Sequence, residues 1–333
     1  MQYVNLGRSG LRVSRLALGC MNWGSKTFRE FVLDEDEARA VIRKALDLGI
    51  NYFDTSDFYG SGDSETILGR ALKDMASRES VVIATKVYSA TGPSVMERGL
   101  SRKHIRHAVD ASLRRLQTDY IDLYQLHQQD ATTPLEETME ALADLVRAGK
   151  VLYVGASNHF AWQLARAIHA ADRNGWPRFI NYQGFHNLLY REEERETMPL
   201  IASEGISATP WSPLARGFLA GNRTRESFGD TLRAKTDKRT HSWFYTDADF
   251  AIVDRVKEVA ARIGVTPAQI AIAWLLHDPR VAAPIVGVSR PDQLEGNVAA
   301  LSVKLTREDC AYMEEPYVPR KILGMGLSTE GAT

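Results

Sequence analysis

Four side chains in the first half of the chain have the types and spacing of an acid–base site: Asp54, Tyr59, Lys86 and His127. Short apolar, β-rich runs precede three of them: Asn51-Tyr52-Phe53 before Asp54, Val81 to Thr85 before Lys86, and Tyr120 to Leu126 before His127. Tyr59 stands five residues beyond Asp54, in the turn Asp57-Phe58-Tyr59-Gly60. In an α/β barrel, residues just past the C-terminal ends of the strands converge on one face. A phenol, an ammonium, a carboxylate and an imidazole gathered there can put a proton on a carbonyl oxygen. That chemistry suits hydride reduction of an aldehyde or ketone.

Each group has a definable part in such a step. A free phenol is a weak acid, with a pKa of about 10. An ammonium a few ångströms away favours phenolate and pulls that value down. Lys86 is the candidate ammonium, and Asp54 would hold it in place and keep it charged. His127 would fix the carbonyl oxygen through a hydrogen bond and help pass the proton. Taken singly, each residue has a plainer reading. A Tyr in a βα loop often packs with a wet hydroxyl, a Lys after a strand is usually solvated, a His is usually structural, and Asp54-Thr55-Ser56 could be turn chemistry. The shared position at one end of neighbouring strands favours a common site. A rival chemistry is a Schiff-base lyase or aldolase using Lys86, which the charged partner opposes because it keeps the amine protonated.

The elements that must position these residues alternate between strand and helix. A hairpin comes first, Tyr3-Val4-Asn5 and Leu11-Arg12-Val13 joined through Gly7-Arg8-Ser9-Gly10. Strands follow at roughly 16–18, 51–54, 81–85, 120–126, 151–155, 179–182, 206–209 and 283–286. Most are continuous apolar runs, the mark of a sheet covered on both faces and therefore parallel. Asp34 reads as a helix N-cap with Glu37 three residues on, and that helix stops at Gly49. Thr133 reads as a cap with Pro134 at the first helical position and Glu136 completing a capping box. Ser101 opens a third helix, with Ile105, Val109, Leu113 and Leu116 on one stripe. Right-handed crossovers between so many parallel strands favour closure into an (α/β)8 TIM barrel over an open sheet. The stretch 213–246 lacks helical periodicity and is rich in Arg and Lys, so it reads as a long loop, either a lid beside a phosphate-bearing ligand or a solvated insertion. The tail after Pro316 reads as irregular chain over the barrel.

Composition bounds the possibilities. The chain has 333 residues, 44% hydrophobic and 25% charged, with a net charge of −1. No Pro/Gly/Ser-rich linker divides it, so residues 1–333 read as one barrel domain. The charge balance gives no support for nucleic acid or a membrane surface as partner. Cys20 and Cys310 are the only cysteines, so no disulfide framework or metal-ligand spacing is implied. The N-terminus lacks the pattern of a signal peptide and no apolar run reaches the roughly 20 residues that span a bilayer. A cytoplasmic setting is the expectation. No G-x-G-x-x-G opens a strand–helix unit, and Gly19 to Gly24 lacks the Lys-Ser/Thr of a phosphate-cradling loop. Barrels often bind phosphate through the loops after strands seven and eight. Here those loops are Trp211–Gly217 and Gly287-Val288-Ser289-Arg290, the second preceding a helix that starts near Pro291, whose free N–H groups would favour an anion.

The motifs resemble those of the aldo-keto reductases. Gly19-Cys20-Met21-Asn22-Trp23-Gly24, Phe53-Asp54-Thr55-Ser56-Asp57-Phe58-Tyr59-Gly60 and Ala84-Thr85-Lys86 are similar to that family's signatures. Leu126-His127, Val154-Gly155-Ala156-Ser157-Asn158 and Trp211-Ser212-Pro213-Leu214-Ala215-Arg216-Gly217 continue the match, in order, from about residue 1 to 315. The stretch Leu189-Tyr190-Arg191-Glu192-Glu193-Glu194-Arg195-Glu196 resembles most closely the bacterial branch often labelled aryl-alcohol-dehydrogenase-like. The resemblance implies an (α/β)8 barrel that binds NADPH, or NADH, in an extended pose, with Tyr59 as acid and Asp54, Lys86 and His127 completing a tetrad. It places Gly19, Met21 and Asp54 beside the cofactor. It also implies that Ser157, Asn158 and Gln183 hold the nicotinamide carboxamide, with Trp211 stacked on the ring. Ser212, Pro213, Leu214, Arg216 and Gly217 would line the pyrophosphate. Gly287, Ser289, Arg290, Gln293 and Asn297 would meet the adenosine end, Arg290 favouring the 2′-phosphate of NADPH. Trp23, Tyr88, Gln128 and Trp243 would ring a small carbonyl or alcohol substrate, in a monomer or homo-oligomer. Channel-associated members of the same family offer a further alternative, a cofactor-sensing regulatory subunit with little turnover.

Overall fold

The computed structural model describes residues 1–25, 31–227, 229 and 231–324. A short antiparallel hairpin pairs β1 (Tyr3–Asn5) with β2 (Arg12–Ser14). Eight parallel strands follow: β3 (Ala17–Gly19), β4 (Tyr52–Asp54), β5 (Val82–Val87), β6 (Ile121–Leu126), β7 (Val151–Ser157), β8 (Phe179–Gln183), β9 (Ser207–Ala208) and β10 (Ile285–Val286). They form one sheet in the order β10-β3-β4-β5-β6-β7-β8-β9. Parallel bridges between Ala208 and Val281 and between Trp211 and Ile285 join its two edges. The hydrogen bonds Ala282 N to Ala208 O at 2.8 Å and Ile285 N to Pro210 O at 2.9 Å seal that seam. The sheet is a closed (α/β)8 barrel, which leaves no exposed edge.

The main helices between the strands are α1 (Glu35–Asp47), α2 (Asp63–Met75), α3 (Arg102–Leu116), α4 (Leu135–Arg147), α5 (Ala161–Asn174) and α6 (Thr197–Glu204). After β9 come α7 (Leu232–Thr236), α8 (Lys238–Trp243), α9 (Asp247–Ile263) and α10 (Pro267–His277), and after β10 come α11 (Pro291–Ala299) and α12 (Arg307–Glu314). Capping chemistry sets α1 and α3 where the sequence places them. Asp34 accepts from Glu37 N at 3.0 Å while the Glu37 carboxylate accepts from Asp34 N at 3.0 Å. Ser101 Oγ accepts from His104 N at 3.2 Å. Helix α4 differs from the expected capping box. Its N-cap position is Pro134, and Thr133 Oγ1 donates instead to Asp130 at 2.7 Å. Asp130 gathers that hydroxyl with Leu100 N and Thr132 N, each at 2.8 Å, so a loop carboxylate outcompetes the helix for Thr133.

Two further expectations are corrected. Strands β9 and β10 hold only two residues each, because Pro210 and Pro284 lack the N–H that would extend the ladder. The stretch 213–246 is not a bare loop: it holds a 3₁₀ turn over Ala215–Ala220 and the short helices α7 and α8. Phe218 packs against Phe244 and Phe250, with ring centroids 6.0 and 5.2 Å away, which gives the segment a small core of its own. Pieces this short are invisible to a periodicity test over longer windows. The tail from Pro316 to Gly324 carries no helix or strand, as expected, and residues 325–333 lie outside the described residues. Among the described residues no single helix is long and apolar enough to cross a membrane.

Strand alternation sorts the barrel interior into layers. Residues at every second position share a face. At the N-terminal end Leu6, Val13, Ala17, Tyr52, Val82, Ala84 and Leu123 form an apolar plug beneath the barrel, closed off by the hairpin. Gly7 N donates to Ser207 Oγ at 2.8 Å and Arg8 N to Gly205 O at 2.9 Å, tying that hairpin to the barrel floor. Two residues further along β4, β5 and β6 the interior positions become Asp54, Lys86 and Gln125, and β8 adds Asn181 and Gln183 to that layer. One end of the barrel is therefore built for stability and the other for polar chemistry.

Candidate active site

Asp54 ends β4, Lys86 lies in β5 next to its end, and His127 follows β6, so three neighbouring strands deliver these groups to one mouth. Tyr59 reaches the same place from the 3₁₀ turn Tyr59–Gly62, whose Gly60 and Ser61 both take positive φ. Lys86 is fully buried and Asp54 nearly so. Lys86 Nζ donates to Asp54 Oδ1 at 2.6 Å, to Thr55 O at 2.8 Å and towards Tyr59 OH at 3.5 Å. The second oxygen of Asp54 accepts from Gln183 Nε2 at 2.8 Å and Gln125 Nε2 at 3.2 Å. Asn181 Nδ2 donates to Gln125 Oε1 at 2.8 Å and Thr209 Oγ1 to Asn181 Oδ1 at 3.0 Å, extending the network across the barrel. A Cβ at position 155 would lie 3.2 Å from Gln125 Cγ and 3.1 Å from Asn181 O, so Gly155 makes room for that crossing. A buried polar network of this kind is stable only because its members satisfy one another.

The electrostatics of the four groups are set mainly by burial. Burial pushes the Tyr59 phenol above its ordinary value, and Lys86 is the largest force pulling it back. The expected lowering by the ammonium is present but outweighed, because removing a phenolate from water costs more than one neighbouring cation returns. Burial by itself would lower the Lys86 ammonium, yet Asp54 and Tyr59 together raise it. His127 falls to about 3, through burial first and Lys86 second, so its ring is neutral at physiological pH. His127 Nδ1 lies 3.2 Å from Ser56 Oγ, and its ring meets Tyr59 edge-on with centroids 5.9 Å apart.

Beside this cluster lie the residues expected to hold an amide ring. Ser157 Oγ donates to Gln183 O at 2.8 Å. Asn158 Nδ2 donates to His127 O at 3.0 Å, and Asn158 Oδ1 accepts from Trp211 Nε1 at 3.1 Å. Trp211 stacks on Phe185, centroids 4.2 Å apart, and Trp243 lies against the same ring at 5.3 Å. Trp23 is fully buried, while Tyr88, Gln128 and Trp243 are partly exposed at the ends of their elements. Phe185, absent from the sequence-level reading, is the centre of this aromatic wall.

The two expected phosphate loops differ from each other. In the first, Ser212 and Arg216 take positive φ and Pro213 is buried between them. Asn187 Nδ2 holds Ser212 O at 3.1 Å, and Leu214 and Gly217 are half-buried. Arg216 is buried against Asp237, with Nε 2.6 Å from Oδ2. Arg223 is buried next to it; one guanidinium nitrogen donates to Arg216 O at 2.9 Å while Nε and Nη1 make no hydrogen bond of good geometry. Arg216 thus pairs with Asp237 while the buried Arg223 beside it keeps donors to spare, which fit an anion. A Cβ on Gly217 would sit 3.3 Å from Arg223 Nη2. In the sequence Arg223 is one of several Arg and Lys of the basic stretch 213–246, and nothing local marks which of them is buried.

In the second loop the expected free N–H groups at the start of α11 are partly spent. Gln293 Oε1 accepts from Ser289 N at 2.8 Å and Arg290 N at 3.3 Å. Pro291 has no N–H to offer. Arg290 is exposed and pairs with Asp292 at 3.0 Å, while Asn297 is buried behind them. Gly287 is exposed. Met21 is half-buried on the loop after β3, and Asn22 Nδ2 binds that loop to Val288 O at 2.7 Å. Gly19 has a packing duty of its own, since a Cβ there would meet Ile285 Cγ2 at 2.8 Å. Among the described residues no group of three or more His, Cys, Asp or Glu side chains could hold a metal ion.

The barrel and this constellation define a class, and comparison with known proteins agrees: residues 15–317 match the aldo/keto reductase family. The chain belongs to that family and is an oxidoreductase. It is 44% identical over 343 aligned positions to the versiconal hemiacetal acetate reductase of Aspergillus parasiticus, covering 97% of this chain and 98% of the relative. It is 41% identical to a putative aryl-alcohol dehydrogenase of Schizosaccharomyces pombe, covering 97% of each. A putative aryl-alcohol dehydrogenase of Saccharomyces cerevisiae is 39% identical, covering 96% of this chain and 98% of that one.

Proposed function

We propose that this protein reduces an aldehyde or ketone to the alcohol, reversibly, with hydride from NADPH and a proton from Tyr59. The observation that carries the reading is the contact of Tyr59 OH, buried Lys86 and Asp54 at the chemical end of the barrel. A general acid must hold its proton before it gives it away, and burial keeps Tyr59 protonated. Lys86 offsets part of the cost of the phenolate that forms. Asp54 fixes Lys86 and keeps it charged. His127, neutral at this pH, offers an N–H to the carbonyl oxygen rather than acting as an imidazolium acid.

The nicotinamide supplies the hydride when bound. Ser157, Asn158, Gln183 and Trp211 would hold that end, with Gly19, Met21 and Asp54 alongside. Arg216 and Arg223 supply the charge for phosphates, in the loop of Ser212 to Gly217. Ser289, Arg290, Gln293 and Asn297 would take the far end after Gly287, and NADPH is favoured over NADH by the Arg290 charge. The aromatic wall of Trp211, Phe185 and Trp243, with Tyr88, Gln128 and Trp23 nearby, suits a ring-bearing carbonyl. The name of two relatives, putative aryl-alcohol dehydrogenase, points the same way. A raised Lys86 held by three partners speaks against a Schiff-base mechanism.

The test is an assay of aromatic aldehydes with NADPH and NADH side by side, in wild type and Tyr59→Phe. Wild type should turn over many times without a partner and prefer NADPH, and Tyr59→Phe should lose about 10²–10⁴-fold. Near-normal turnover by the Phe variant would reject Tyr59 as the acid, and no turnover in wild type would favour a cofactor-sensing role.

A further inference from the structure

Behind His127 lies a hydrogen-bond chain that the proposed reduction does not by itself require. Ser56 Oγ stands 3.2 Å from His127 Nδ1 on one side and 3.2 Å from Asp57 Oδ1 on the other. The Phe58 N–H donates to the same hydroxyl at 3.4 Å. All three side chains are buried: Ser56 is 0% exposed, Asp57 1% and His127 3%. Asp57 Oδ2 makes no hydrogen bond of good geometry, although the Phe58 N–H also lies close enough to favour the carboxylate.

A serine hydroxyl has one proton to give and two lone pairs to receive. Two arrangements therefore satisfy it. If Asp57 is a carboxylate, Ser56 donates to it and must accept from His127 Nδ1–H, which leaves Nε2 bare towards the site. If Asp57 is a carboxylic acid, its proton goes to Ser56, Ser56 donates to Nδ1, and Nε2 carries the ring proton. The surroundings decide between them. A buried carboxylate oxygen with no donor is very costly. Glu65 on α2 is a second buried carboxylate facing Asp57, and the nearby guanidinium of Arg115 on α3 is committed to Glu65 at 2.7 Å. Tyr124 on β6 faces the same spot with an unpartnered hydroxyl, which can donate to Oδ2 in either state and so does not decide between them, and Lys86 on β5 opposes a positive charge on His127. Burial and the second carboxylate favour neutral Asp57. Its proton belongs on Oδ1, where Ser56 receives it, rather than on Oδ2.

We propose that Asp57, acting through the Ser56 hydroxyl, is a positioning residue that holds His127 in the Nε2–H tautomer, so that the ring presents a donor to the carbonyl oxygen. The inference rests on the reading of His127 as the carbonyl-holding group. It gives Ser56 and Asp57, otherwise plain turn residues, a part in substrate binding. It also explains why an acid is kept in a site where no cation balances it.

The experiment is nitrogen NMR of the full-length protein labelled with ¹⁵N-histidine, in which protonated and bare ring nitrogens are distinguishable. His127→Gln identifies the signal. Wild type and Asp57→Asn, whose amide can still donate to Ser56, should both show His127 protonated at Nε2. Ser56→Ala should lose that preference and raise KM for the carbonyl about tenfold, the loss of one well-placed donor, with a smaller effect on kcat. Protonation at Nδ1 in wild type would overturn the proposal, as would a Ser56→Ala protein with unchanged tautomer and KM. The wild-type spectrum decides even if Ser56→Ala fails to fold. Because the spectrum needs no turnover, an Nε2–H ring in a protein that reduces nothing would sink the reductase reading alone.

Discussion

Tyr59 is a phenol whose proton is held by burial and loosened by a cation, and in the proposed reduction the balance of the two sets the response to pH. Its pKa is raised above the ordinary phenol value, so the acid form persists through neutrality. His127, at about 3, is uncharged over the same range. The rate of carbonyl reduction should therefore be level from about pH 6 to 9 and decline only in stronger alkali, as the phenol deprotonates. A kcat–pH profile checks this, and a step near the ordinary imidazole value of 6.5 would contradict the neutral ring. Lys86→Met tests the other side of the balance. It leaves Asp54 Oδ1 buried without its partner, costing about 3–5 kcal/mol of stability by chemical denaturation. It also removes the force that lowers the phenol, so reduction should slow by about 10²–10⁴-fold in whatever protein folds.

At the scale of elements, the run from Tyr190 to Glu194 behaves as a clasp between the barrel and the C-terminal segment. Glu192 Oε1 accepts from Tyr317 OH at 2.7 Å and Arg320 N at 2.9 Å, and Tyr190 OH accepts from Leu323 N at 3.2 Å. Arg320 continues to the segment after β9, donating to Trp243 O at 2.9 Å and pairing with Asp249 of α9. Glu193 faces inward instead, against Tyr182 OH at 3.0 Å. Burial raises it to about 7 although Thr197 and Tyr182 pull it down. An acid raised on folding keeps its proton where the unfolded chain has released it. Its stabilising protonated form is fully present below 4.5 and is lost as pH rises through about 7. Glu193→Gln should thus match wild type in unfolding free energy and melting temperature at low pH, and at pH well above that value should melt higher and exceed it in unfolding free energy by of order 3 kcal/mol at most. Equal melting temperatures at both pH values would show that Glu193 is not a buried acid.

At the scale of the whole molecule, the barrel divides its labour between its two ends. The apolar plug under the N-terminal end carries stability, and the polar layer at the other end holds the groups of the proposed chemistry. Leu6, fully buried from the hairpin, belongs to the first. Leu6→Ala should cost about 2–5 kcal/mol in unfolding free energy. Turnover per folded molecule should be unchanged below the melting transition. Loss of kcat at a temperature where circular dichroism reports a folded protein would show that the two ends are not independent.

Much of this was legible in the amino-acid order, and the reason is local. Apolar runs followed by single polar residues marked Asp54, Lys86 and His127 as strand-end groups, and period and capping placed α1 and α3, because those signals depend only on near neighbours. What needed the closed barrel were effects of distance and depth. Thr133 was lost to Asp130, a choice between two acceptors that no spacing predicts. Arg223 and Ser56 became site residues only when the fold buried them against Arg216 and between His127 and Asp57. The direction of the Tyr59 shift also came from three dimensions, because desolvation is a property of everything packed around a group, and a chain of letters carries no depth.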